Sequence, residues 1–171
     1  MKIIGLKEQF TVEYKIVDHK RLMGYSKIWF GINSLGTIED LIYIDGYLIK
    51  GLQKIANSIY IDMDVESDKN MLFNKLNARL NDLNDNEIRK YLKIFGTFCD
   101  DFTLFSFLIK NEINIIWKLN SNNTLFSDLN SQNLEVNHFK IDKNLYTNIL
   151  EEIKENIKSN KPELPPASAS F

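Results

Sequence analysis

Asp62-Met63-Asp64-Val65-Glu66-Ser67-Asp68 sets four carboxylates at alternate positions. Such a run can ligate calcium, or present a negative field to a cationic partner. A calcium loop opening at Asp62 needs glycine at its sixth position and a bidentate glutamate at its twelfth. Those positions hold Ser67 and Phe73. The remaining readings are a solvated acidic loop and a patch facing a basic protein surface. Cys99-Asp100-Asp101 and His138 supply the residue types of a thiol nucleophile and its base. No spacing rule links them, and His138 falls on the Leu134/Val136 face of an expected strand, so structural roles are expected for both. His19 lies in a polar turn. Two histidines and one cysteine do not make a zinc set. Gly31 and Gly36 match neither the dinucleotide nor the P-loop pattern. Tyr25, Trp29, Tyr43 and Tyr47 are open to two readings, an aromatic binding surface or the cover of a sheet. No catalytic residue, metal or cofactor is expected.

The chain around these residues has 171 residues, of which 44% are hydrophobic and 26% charged. These are the proportions of a globular domain, and they exclude a collagen-like chain, a disordered chain and a disulfide scaffold. A chain of this size buries about 70% of its unfolded surface, enough for one core without disulfides. Net charge is −2, which lacks the basic excess of a general nucleic-acid binder and of a polybasic membrane patch. Charges return within four residues of Ile3, so no signal-peptide core is read at the start. The strongly apolar run Phe102–Ile109 is far too short to span a bilayer. With a single cysteine, these features lead us to expect a cytoplasmic protein.

Phe10 to Val17 and Tyr25 to Asn33 alternate with period two, which predicts an antiparallel hairpin. On its buried face we place Phe10, Val12, Tyr14 and Ile16, then Ile28, Phe30 and Ile32. Thr37 to Ile44 reads as a third strand, with a helix start capped by Thr37 as its rival. Asp45 is the expected N-cap of a helix whose stripe is Leu48, Leu52, Ile55 and Ile59; Gly51 within it is open to two readings, a close approach to the sheet or a tolerated glycine. Phe73, Leu76, Leu80 and Leu83 mark a second helix. Asn84 with Glu87 forms a capping box for a third, striped by Ile88, Leu92 and Phe95 and ended by Gly96. Phe102 to Ile109 is apolar on both faces, as in a doubly covered strand. Ile113, Ile115, Trp117 and Leu119 continue on the return strand. Asn120 to Asn133 reads as a polar loop and Leu134 to Ile141 as a last strand. Asp142 then caps a closing helix striped by Leu145, Ile149, Ile153 and Ile157. Strands, helices, strands and a helix, in that order, predict an α+β domain over residues 1–160: an antiparallel sheet with about four helices. Residues 161–171, which hold all three prolines, form a tail.

Met1-Lys2-Ile3-Ile4-Gly5, Phe10-Thr11-Val12-Glu13-Tyr14-Lys15-Ile16, Gly24 through Asn33 and Leu35-Gly36 together resemble the opening of the immunity protein 42 family. Its members serve bacterial polymorphic-toxin and contact-dependent inhibition systems. Ser34 stands where the family favours glycine, and Thr37 where it favours aspartate. The resemblance covers roughly a third of the chain. It implies a small cytoplasmic protein that binds the C-terminal domain of one cognate toxin and blocks it, with neither nucleic acid nor membrane as partner. No toxin-contacting residue carries over from the family. A tight inhibitor needs a rigid surface burying about 1,600 Å² in total. Against a basic toxin cleft the candidates are Asp62, Asp64, Glu66 and Asp68, with Glu39, Asp40 and Asp45 near the strand-to-helix junction. The main alternative is an acidic secretion chaperone or adaptor, which would bind an unfolded client; a third is a small-molecule enzyme whose carboxylates meet only in three dimensions.

Overall fold

The structure, a computed structural model, describes residues 1–6, 8–82 and 85–159. Two antiparallel sheets carry the chain. In the first, β1 (Lys2–Gly5), β2 (Phe10–Asp18), β3 (Met23–Phe30) and β4 (Asn33–Leu35) pair in that order, and the short β5 (Ile42–Tyr43) pairs with the other end of β3. The expected hairpin is β2–β3, in register from Phe10↔Phe30 to Ile16↔Gly24. Its alternation drives Phe10, Val12, Tyr14, Ile28 and Phe30 inward, while Thr11, Glu13, Lys27 and Trp29 point the other way. Ile32 does not join the buried face. Gly31 takes a left-handed φ of 61°, the chain leaves the strand, and Ile32 is 90% exposed.

The strand expected over Thr37 to Ile44 is reduced to Ile42–Tyr43. Loop 37–41 is instead held by side-chain bonds described below. Asp45 is not an N-cap. A π-helical turn over Ile44–Ile49 leads directly into α1 (Lys50–Ala56), placing Asp45 inside the first turn. Leu48, Leu52 and Ile55 are buried as expected; Ile59 lies beyond the helix and is exposed. The close approach at Gly51 is to a ring, not to a sheet, since a Cβ there would sit 2.2 Å from Cδ1 of Phe95.

The second sheet is β6 (Phe102–Ile109), β7 (Glu112–Leu119) and β8 (Asn137–Asp142), with β7 in the centre. The far edge of β6 is covered by two short extended pieces. Leu108 donates its N–H to the Ile59 carbonyl at 2.8 Å, and Ser106 to the Tyr91 carbonyl at 2.9 Å. This explains the missing third helix. Only Glu87–Lys90 forms a 3₁₀ turn, because Leu92 bridges to Phe105 and Lys93 donates its N–H to the Leu104 carbonyl, and this pairing along β6 overrides the helical spacing of Ile88, Leu92 and Phe95.

α2 (Lys69–Leu80) covers one face of the second sheet, packing Leu72, Phe73 and Leu76 against Phe105, Phe107 and Ile116. The opposite face shares a larger core with the inner face of the first sheet, α1 and α4 (Lys143–Lys158). In that core Phe10 stacks on Tyr146 at 4.6 Å and on Phe30 at 5.4 Å. Asp142 caps α4 as expected, accepting from the N–H groups of Asn144 (2.8 Å) and Leu145 (3.0 Å). Loop 120–133 contains one helical turn, α3 (Ser127–Asn130). Leu83, the Asn84 half of the capping box and the tail at 161–171 lie outside the described residues. The class is α+β, with antiparallel pairing divided between two sheets. Among the described residues no helix is long and apolar enough to cross a membrane.

Candidate functional site

The acidic run folds as a strap along α2. Asp68 caps the helix, accepting from the N–H groups of Asn70 and Met71 at 2.9 Å. Lys75 ties the strap down: its Nζ donates to the Asp64 carbonyl at 2.9 Å and lies 3.3 Å from Glu66 Oε1. The Asp62 N–H donates to the Tyr91 hydroxyl at 3.0 Å. The Asp62 and Asp64 side chains are left facing solvent. Among the described residues no three histidine, cysteine or acidic side chains converge as a metal set.

Glu39 and Asp40 lie elsewhere. The Glu39 carboxylate accepts from the hydroxyl and N–H of Ser127 and from the Asp128 N–H, which hold its pKa below the usual carboxylate value. Asp128 returns the clasp, accepting from the Thr37 hydroxyl (2.6 Å), Lys27 Nζ (3.1 Å) and the Ile38 N–H (3.2 Å). Asp40 accepts from the Thr97 hydroxyl. Asp45 lines a shallow groove with Lys50, Lys154 and Lys158, between the start of α1 and the end of α4. The seven candidate carboxylates therefore fall in separate places, and Glu39, Asp40, Glu66 and Asp68 each have a partner within the fold.

Cys99 and His138 do not meet. Cys99 is buried in the larger core, where burial first and the Asp100 charge second push its thiol pKa well up. His138 sits on the α2 side of the second sheet with Nε2 3.1 Å from Asn114 Oδ1. Burial, then the charges of Lys140 and Lys69, lower its pKa. A protonated, buried thiol beyond reach of a base has no nucleophilic chemistry.

The aromatic candidates separate by role. Tyr43 packs over Gly46 and Tyr47 over Gly96, where a Cβ would come within 2.3 and 2.6 Å of the rings. Both rings cover backbone. Trp29 is different. It lies on the outer face of the first sheet, half-buried, with its indole N–H donating to Glu13 Oε2 at 3.0 Å. Beside it runs a groove of about 510 Å³ lined by Ile3, Glu8, Thr11, Glu13 and Ile32. Ile3 is 60% exposed, and Thr11, at 4%, forms the floor. Gly5 pairs with Thr11 in register and offers no side chain to cover it; a Cβ there would lie 2.2 Å from the Phe10 carbonyl oxygen. The β3–β4 side of the same face is closed by α3 through Asp128 and Lys27. Sequence reasoning named Trp29 but missed the groove. The available signal was the odd-numbered set Thr11, Glu13, Lys27 and Trp29 on two strands whose even-numbered partners build the core.

The chain matches no protein-family model and no curated protein sequence. Among solved structures, the crystal structure of CdiI from Burkholderia dolosa AUO158 is similar, with a TM-score of 0.61 and 9% identity over 91% of this chain and 99% of that chain. At that identity the likeness is one of fold.

Proposed function

We propose that this protein is an immunity protein that binds a cognate bacterial toxin domain and neutralises it by occupying its surface. The observation that carries the reading is the fold shared with CdiI over nearly the whole of both chains. CdiI is a contact-dependent inhibition immunity protein whose partners are toxin proteins. The resemblance of the first third of the chain to the immunity protein 42 family supports the same reading from the sequence side. The buried Cys99 and the separation of Cys99 from His138 fit a protein that acts by contact.

The test is co-expression with the product of the adjacent upstream gene. Restored growth together with a stable complex of the two folded proteins is the expected result. A soluble but still toxic co-expressed partner would overturn the reading in favour of a chaperone.

A further inference from the structure

Resting on that reading, we infer that the partner docks on the outer face of the first sheet, seating an apolar side chain followed by an arginine or lysine in the groove beside Trp29. The apolar part follows from Ile3 and Ile32, which are 60% and 90% exposed and line the same groove as Trp29. An aromatic and two aliphatic side chains around a concave surface make the kind of pocket that receives an anchoring residue.

The cationic part follows from how charge is distributed across β2 and β3. Glu13 and Lys27 stand directly opposite each other in register and would ordinarily pair. They do not. Lys27 is drawn to Asp128 at 3.1 Å, and its side chain is only 12% exposed. The Glu13 carboxylate accepts from the Trp29 indole N–H at Oε2 instead. Glu8 lines the same groove. Among the described residues neither Glu8 nor Glu13 forms an ion pair. Among the described residues that line the groove there are thus two carboxylates and no cation, beside an apolar wall, with the Lys27 ammonium 5.8 Å from the centre of the Trp29 ring.

A second, independent observation lies on the floor. The Thr11 hydroxyl is buried and has no hydrogen-bond partner among the described residues. Buried polar groups are normally satisfied, so an unsatisfied one at the bottom of an open groove marks a surface incomplete without its occupant. The acidic strap cannot complete this site. It lies on the α2 side of the second sheet, with the larger core between it and the groove.

Two measurements test the proposal. The first needs no toxin: amide NMR of the full chain titrated with acetyl-Leu-Arg-amide and with acetyl-Leu-Glu-amide. The expected result is saturating shifts at the Trp29 indole N–H and the Ile3, Thr11 and Ile32 amides, with the arginyl peptide in the millimolar range and the glutamyl peptide about tenfold weaker. Absence of shifts there, or equal binding of the two peptides, overturns the groove. The second is the growth-rescue assay with Glu13→Gln/Ile32→Ser, set against Asp62→Asn/Asp64→Asn. The groove variant should bind the toxin domain at least about tenfold more weakly, and the strap variant should bind as the parent does. Matching melting curves establish that each variant is folded. Full affinity in the groove variant overturns this docking face while leaving the immunity reading intact. Failure of the parent chain to bind any toxin overturns the immunity reading, and the peptide titration then decides the groove alone.

Discussion

Asp128 and Lys27 lie 101 residues apart in the chain and 3.1 Å apart in space. The contact fastens the α3 turn to the outer face of β3. Asp128 also receives the Thr37 hydroxyl and the Ile38 N–H, so one carboxylate joins three segments. Burial alone would raise its pKa; the bonds from Thr37, Lys27 and Ile38 outweigh that and lower it.

Asp128→Ala should destabilise the protein by about 2–3 kcal/mol, because it strands a nearly buried ammonium and a buried hydroxyl together. Urea unfolding at pH 7 measures this. The linkage has a sign. The folded carboxyl titrates below its ordinary 3.8, so its contribution is present above that value and lost as pH falls below it. The variant's stability should therefore converge on the parent's at low pH, and a constant gap down to pH 2 would contradict the assignment.

Lys93 should titrate far from an ordinary lysine. Burial, and secondarily the charge of Lys54, bring its pKa from 10.5 down to about 8. The neutral amine is favoured by the fold, so stability should rise as pH climbs from about 8 towards 10.5, where the unfolded chain still binds a proton that the folded chain has released. NMR of the methylated amine should give a midpoint near 8. Lys93→Met should flatten the slope and add about 1–2 kcal/mol at neutral pH, a figure reduced for the partly solvated ammonium.

Gly51→Ala tests the contact between α1 and Phe95. Alanine improves helix propensity by about 1 kcal/mol, yet its Cβ would overlap the Phe95 ring. We expect a net loss of about 1–3 kcal/mol. Phe95→Leu in the same chain should recover part of it, which thermal unfolding of the single and double variants resolves.

Thr11→Val replaces the unsatisfied floor hydroxyl by a methyl of the same shape. It should raise stability by about 0.5–1.5 kcal/mol, since no hydrogen bond is lost. That corresponds to a gain of about 2–4 °C per kcal/mol in Tm. A drop instead would mean that the hydroxyl is satisfied in solution.

Much of the scaffold was legible because its signals are local. The period-two runs at Phe10–Val17 and Phe102–Leu119, and the Asp142 cap ahead of a long amphipathic helix, each carry their own evidence. The errors arose where a distant partner decided the conformation. Residues 91–93 read as helix from Ile88, Leu92 and Phe95, but they lie along β6. Thr37–Ile44 read as strand from its β-branched residues, but Thr37, Ile38 and Glu39 are engaged by Ser127 and Asp128, about 90 residues on. The same holds for the candidate site. Carboxylates can be counted in a sequence, whereas which of them are already occupied cannot. Glu66 and Asp68 look free as letters and are committed to Lys75 and the start of α2.

The covering of β6 by residues 59–61 and 91–93 bears on how the protein avoids self-association. Phe102–Ile109 is apolar apart from Thr103 and Ser106, and its bare backbone edge would template the addition of strands from other molecules. Both covering pieces flank α2, one just before the strap and one just after the 3₁₀ turn. The excursion from Ile59 to Lys93 is thus a hem sewn along a sticky seam. A truncation that removes it should leave a chain that still pairs its hairpins but precipitates.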